Sequence, residues 1–180
     1  MPIVRNKKIE VLFSAEEIAR RNHELSEEIA LGDLSNILVI SILKGSFVFA
    51  ADLIRALHKA GLAPEVEFIS VSSYGSGTQA GEIRLLRDVE TDVKDRDVLL
   101  IDDILESGNT LKYTRDLMVS RGAHKVAVVA LLDKSMKRRA QITADYVGFE
   151  CPDKFVVGYG MDVGHAFREL PFVGVVTGDA

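Results

Sequence analysis

Ile37–Leu43, Val98–Ile101 and Val126–Leu132 are almost unbroken apolar runs that lack polar alternation. A strand with one wet face alternates polar and apolar residues, whereas a strand buried on both faces does not. Between these runs the sequence reads as helix. Ser14 and Glu17 have capping-box spacing, Ile18, Leu25 and Ile29 share one helical face, and Gly32 can close the segment, so a helix is expected over 14–31. Further helices are expected from Lys44-Gly45 to about Lys59, and from about Asn109 to Arg121 with Gly122 as its stop. Weaker strands are expected near Val66–Val71, Ile83–Leu86, Tyr146–Phe149, Val156–Tyr159 and Val173–Val176. Buried strands separated by helices predict an α/β fold, a parallel sheet core with helices on both faces. In such sheets ligands bind beyond the carboxyl ends of the strands, so the residues after each strand are the candidates for chemistry.

The chain's 180 residues suit one domain, 1–180, because no repeat, low-complexity stretch or Pro/Gly-rich linker divides them. With 22 basic and 27 acidic residues the net charge is −5, which argues against a nucleic-acid partner. The densest basic run, Lys134-Ser135-Met136-Lys137-Arg138-Arg139, reads on composition as a solvated face. Cys151 is the single cysteine; it excludes an intrachain disulfide and reads as a small semi-buried residue, not a catalytic thiol. Met1–Glu10 lacks an apolar signal core and no apolar run is long enough for a membrane span. A cytoplasmic protein with no membrane partner is expected. His23, His58, His124 and His165 show no ligand spacing and read as surface or interface residues.

The strongest chemical signal lies in Val98–Leu111. Asp102 and Asp103 sit where an apolar strand leaves the core. Adjacent carboxylates there repel each other and lose solvation, so they need a partner. When ionised they only accept hydrogen bonds, and a vicinal diol offers two donors. The turn Glu106-Ser107-Gly108-Asn109-Thr110 then leads into a helix. Free N–H groups and the positive dipole end of a helix favour a phosphate, glycine lets the backbone approach it, and the Ser107 and Thr110 hydroxyls add donors. A diol and a phosphate held side by side describe a ribose 5-phosphate. No G-x-x-x-x-G-K-[ST] occurs, so the turn is not a Walker loop. Gly75–Ala80 fits a loose dinucleotide pattern, but Glu82-Ile83-Arg84-Leu85 alternates like a strand where that motif needs a helix.

Four apolar residues, two acids, two apolar residues and then acid-Ser-Gly-x-Thr resemble the phosphoribosyl-diphosphate motif of type I phosphoribosyltransferases. Leu43-Lys44-Gly45-Ser46, Ser72-Ser73-Tyr74-Gly75, and Pro152–Asp162 with Phe167-Arg168-Glu169-Leu170 resemble the hypoxanthine-guanine branch of that family in the same order. The resemblance covers about Val11 to Val176. It implies the type I fold, with a small hood built from the N- and C-terminal segments. The implied activity is purine salvage: transfer of the 5-phosphoribosyl group from phosphoribosyl diphosphate to hypoxanthine and/or guanine, giving IMP or GMP and pyrophosphate. Mg²⁺ as cofactor and a homodimer or homotetramer are implied as well.

Roles follow from the same resemblance. Asp102, Asp103, Ser107, Gly108, Asn109 and Thr110 would bind the ribose phosphate. Lys44 and Gly45 match the loop that contacts pyrophosphate, where the family has a non-proline cis peptide. Arg168 matches the arginine that binds the same group with its planar fork. Ser73 and Tyr74 match the start of a mobile lid. Lys134 matches the lysine that donates to the exocyclic oxygen of a 6-oxopurine; an ammonium can only donate, and adenine presents an amino group there. Phe155 matches the aromatic that stacks on the purine, with the main chain of Val156 reading its edge. Asp162 matches the carboxylate that holds Mg²⁺ beside the pyrophosphate, and Asp102 and Asp103 are further candidate metal ligands.

Two positions depart from the family pattern. Glu106 stands where aspartate is usual, as the catalytic general acid/base at the purine N7. A carboxylate remains, and the reference pKa values of Asp and Glu differ by only about 0.4 units, but the reach grows by one methylene. Asp102 stands where glutamate is common, so a water-mediated contact with the diol is expected. The competing reading is a phosphoribosyltransferase-like regulator that binds nucleic acid, which calls for a basic face or an added DNA-binding domain.

Overall fold

A computed structural model of the chain describes residues 2–74 and 82–179. In chain order the elements are β1 (Ile3–Val4), β2 (Lys7–Phe13), α1 (Ala15–Leu31), β3 (Ile37–Leu43), α2 (Phe47–Lys59), β4 (Glu65–Tyr74), β5 (Glu82–Arg87), β6 (Asp97–Leu105), α3 (Asn109–Ser120), β7 (Lys125–Asp133), β8 (Tyr146–Glu150), β9 (Val156–Val157) and β10 (Val173–Asp179). A 3-10 turn, Ser135–Lys137, follows β7. Gly75–Gly81, with the glycines of the loose dinucleotide pattern, lie outside the described residues.

The apolar runs form the centre of a six-stranded sheet ordered β5-β4-β3-β6-β7-β8. Its strands are parallel except β5, which pairs antiparallel with β4 at the edge. The missing alternation has a direct cause. Leu99 and Ile101 of β6 pack under α1 and α2 with Leu25, Leu53 and Leu57. Val98 and Leu100, one residue out of phase, pack on the opposite face with Leu111 and Met118 of α3. Both pleats of the strand are therefore core. The capping box is present at α1: the Ser14 hydroxyl accepts from the Glu17 amide at 3.2 Å, and the Glu17 carboxylate accepts from the Ser14 amide at 2.8 Å. Gly32 ends that helix in an extended conformation, φ −72°.

The two chain ends form the hood, an antiparallel sheet ordered β1-β2-β10-β9. Here the structure differs in detail from the sequence expectation. Lys7–Phe13 is a strand that local pattern does not announce, since only Ile9 in it is fully buried. Its stability comes from pairing with β10, the far end of the chain. The strand expected over Val156–Tyr159 stops at Val157, because the chain turns at Gly158 and Tyr159 with φ of +95° and +49°.

The strand order also positions the site. β3 and β6 are neighbours, yet their following helices α2 and α3 lie on opposite faces of the sheet. The crevice between their carboxyl ends is the switch point of the sheet, where ligands bind in this architecture.

Candidate active site

Three adjacent strand ends meet at that crevice: Leu43 of β3, Leu105 of β6 and Asp133 of β7. Two adjoining cavities open there. One, of about 290 Å³, is lined by Lys44, Gly45, Asp102, Asp103, Ser107, Gly108 and Thr110. The other, of about 430 Å³, is lined by Lys44, Gly45, Asp103, Glu106, Lys134, Phe155, Val156, Asp162 and Arg168. Nearly every candidate residue thus faces one continuous space. Asn109 is instead the first residue of α3, and its amide donates to the Ser107 hydroxyl at 3.4 Å. Ser73 and Tyr74 end β4 in register with Ile83 and Glu82 of β5.

The cradle is shaped by its backbone. Gly108 sits just before α3 in the left-handed region, φ +81°, and a Cβ there would lie 2.7 Å from Ile142. Glycine is the residue that meets both demands. The carbonyl of Ser107 accepts from the amides of Arg139 and Ala140, each at 2.9 Å. The Arg138 guanidinium donates to the carbonyls of Glu106 at 3.1 Å, Leu105 at 3.2 Å and Ile142 at 2.7 Å, and pairs with Asp133. This overturns the solvated-surface reading of Arg138. It is the half-buried brace of the turn before α3, and only its tertiary contacts reveal that.

Asp102 is buried and takes the Asp103 amide at 3.0 Å. Loss of solvent, and then the neighbouring Asp103 charge, push its pKa well above the ordinary carboxylate value. Among the described residues no cation relieves that burial. A buried acid left in this state is stabilised by a ligand that donates hydrogen bonds or brings positive charge.

The side expected to hold pyrophosphate is built from two loops in contact. The Leu43–Lys44 peptide is cis. A Cβ on Gly45 would overlap the Asp103 carboxylate, and a Cβ on Gly160 would overlap the Gly45 carbonyl oxygen, so both close approaches require glycine. Arg168 donates to the Gly160 carbonyl at 2.6 Å and pairs with Asp162 at 2.9 Å. The other Asp162 oxygen accepts from the His165 amide at 2.7 Å.

The side expected to face the purine holds Lys134, Glu106 and Phe155. Lys134 is buried and donates to the Lys154 carbonyl at 2.7 Å, while the Glu106 carboxylate lies 4.0 Å from its ammonium. Phe155 is 63% exposed, an aromatic surface left outside the core at the mouth of the cavity.

Residues 9–163 match the phosphoribosyl transferase domain. The chain is 44% identical over 168 residues to the hypoxanthine-guanine phosphoribosyltransferase of Bacillus subtilis, covering 92% of each protein. It is 37% identical over 172 residues to the hypoxanthine phosphoribosyltransferase of Escherichia coli, covering 93% of this chain and 95% of that one. The crystal structure of a Staphylococcus aureus hypoxanthine phosphoribosyltransferase superposes with a TM-score of 0.88 at 38% identity, over 96% of this chain and 92% of that one.

The chain belongs to the hypoxanthine-guanine phosphoribosyltransferase family.

The acids expected to hold a metal are the least assembled part of the site. Asp103 and Asp162 share one cavity wall and Asp102 faces the neighbouring one. Among the described residues no three acidic, histidine or cysteine side chains converge on a metal position. The all-oxygen donor set, with Asp102 desolvated and unrelieved, still fits a hard divalent cation that takes its remaining ligands from phosphate and water. The other histidines stay outside the site. His124 has a structural role instead, with its ring 2.7 Å from the buried Asp97. Cys151 is buried in the core, and burial raises its thiol pKa, in keeping with an inert residue.

Proposed function

We propose that this phosphoribosyltransferase moves the 5-phosphoribosyl group from phosphoribosyl diphosphate to hypoxanthine or guanine, with release of pyrophosphate. The observation that carries the choice of base is the pair Lys134–Glu106, 4.0 Å apart above the cradle and beside the exposed Phe155. On a 6-oxopurine the exocyclic oxygen and N7 are neighbours on one edge. Lys134 donates to the oxygen and Glu106 holds the proton at N7, while Phe155 stacks on the ring.

In this reading Asp102 and Asp103 accept from the ribose hydroxyls, and the Ser107–Thr110 turn at the start of α3 takes the 5-phosphate. Lys44, the Gly45 backbone and Arg168 hold the pyrophosphate. Arg168 and Asp162 neutralise each other before substrate arrives, so binding exchanges that pair for contacts to the leaving group. Mg²⁺, when held by Asp162 with Asp103 or Asp102, offsets pyrophosphate charge. The protein residues orient the two substrates so that the base nitrogen attacks the sugar carbon as the carbon–pyrophosphate bond breaks, and they exclude water. Ser73 and Tyr74 begin the lid that closes this space. Family membership extends the reading to magnesium dependence, a cytoplasmic location and a dimer or tetramer.

The test is pyrophosphate release from phosphoribosyl diphosphate and Mg²⁺ with each base supplied separately. Hypoxanthine or guanine should support release and adenine should not. No release with any 6-oxopurine overturns the proposal.

A further inference from the structure

Glu106 has a partner that composition reads as ordinary surface. The Lys137 ammonium lies 3.4 Å from the Glu106 carboxylate and 2.7 Å from that of Asp153. Lys137 closes the 3-10 turn that begins after Lys134, and its amide reaches back to the Lys134 carbonyl at 3.4 Å. Positions three apart in such a turn face the same way. The two ammonium groups consequently approach the same Glu106 oxygen, Oε1, buried Lys134 at 4.0 Å and the more open Lys137 at 3.4 Å. Asp153 stands just before Lys154, whose carbonyl holds Lys134, and Phe155. Lys137 therefore spans from the Glu106 turn to the segment that carries the aromatic platform.

We infer that Lys137 is a positioning residue for Glu106, a clasp that sets the longer carboxylate against the purine edge. The inference rests on the phosphoribosyl-transfer reading above. Glutamate has one more rotatable bond than aspartate, and a proton-transfer group must occupy a narrow range of positions to be effective. An ion pair on its open side removes part of that freedom. Shortening the side chain by one methylene would draw the carboxylate back by about 1.5 Å, out of ion-pair reach of Lys137. The clasp is thus specific to glutamate at this position. Hydrogen bonding to Asp153, then its charge, and more weakly Glu106, raise the Lys137 pKa, so the residue is a full cation at neutral pH.

A double-mutant cycle over wild type, K137M, E106D and K137M/E106D tests this, with initial rates measured at saturating hypoxanthine and varied phosphoribosyl diphosphate. K137M should lower kcat about 3–10-fold and leave the KM for phosphoribosyl diphosphate within about twofold. On the E106D background the same substitution should change kcat by less than about twofold, and K137R should recover most of the wild-type rate. An unchanged kcat in K137M, or an equal fall on both backgrounds, overturns the inference. Thermal melts of the four ligand-free proteins give a readout independent of turnover. K137M should lower Tm by about 1–2 °C more with Glu106 present than with E106D, and equal shifts overturn the clasp. Wild type that turns over no 6-oxopurine would instead sink the transferase reading, leaving the melts to judge the ion pair.

Discussion

Asp97 opens β6 and Asp102 stands further along it, toward its carboxyl end, and both are buried, at 2% and 7% exposure. Their electrostatics are opposite. Burial pushes the Asp97 carboxyl up, but the Ser35 amide at 2.7 Å and the His124 ring at 2.7 Å outweigh it and hold its pKa below the ordinary 3.8. At Asp102, burial and then the Asp103 charge outweigh the one amide hydrogen bond from Asp103, and the pKa is raised. The amino end of the strand is thus satisfied by the protein itself. The carboxyl end leaves its acid to be satisfied by what binds there. One residue type on one strand is compensated by the fold at one position and left desolvated at the other.

Variants at the two ends should separate these roles. The largest effect is expected for E106Q, which removes the proton-transfer group: kcat should fall about 10²–10⁴-fold, with Tm close to wild type. An unchanged turnover would end the role of Glu106 and blur the functional character of the carboxyl end. G45A comes next, because its Cβ would overlap the Asp103 carboxylate. Displacing that acid should cost about 10²-fold in turnover, and full activity would show that the close approach has no functional weight.

D97N should act on stability alone. Loss of the charged hydrogen bonds from Ser35 and His124 should cost about 1–3 kcal/mol, read by denaturant unfolding, with activity per folded molecule retained. Because the folded-state pKa of Asp97 is lowered, its stabilisation is complete above 3.8 and is lost as pH falls through that lower value. The wild-type advantage over D97N should therefore close only in strong acid.

D102N should move in the opposite direction. The raised pKa means that ionised Asp102 is a penalty in the ligand-free fold, absent below pH 3.8 and growing as pH rises above it. At neutral pH, D102N should gain about 1 kcal/mol, or about 2–4 °C in Tm, while the KM for phosphoribosyl diphosphate rises about tenfold. The gain should vanish on acidification. A destabilised D102N would break the contrast between these two acids of β6.

Legibility follows the same division between local and distant partners. The central strands could be read because burial on both faces writes itself into most residues of Ile37–Leu43 and Val126–Leu132. The cradle could be read because its acids, turn and helix start are contiguous, so their geometry follows from local backbone rules. β2 could not, since its pairing partner β10 lies at the other end of the chain. The residues expected to hold purine and pyrophosphate could be named only by resemblance, as single residues carry no local sign of a shared cavity. Arg138 and Lys137 show the limit most clearly: one basic run contains a half-buried brace, a buried donor to the Lys154 carbonyl and a bridge between two acids.

By itself the sequence determined the parallel core, the helix stops and the strand–turn–helix run at β6 and α3, all consequences of periodicity and contiguous backbone chemistry. Only the tertiary structure decided which charges are relieved. It put Asp97 beside Ser35 and His124, left Asp102 desolvated at the crevice, and set Glu106 beside two lysines. Charge compensation depends on distances of a few ångströms between residues far apart in the chain, and those distances exist only once the sheet is ordered and the hood is closed.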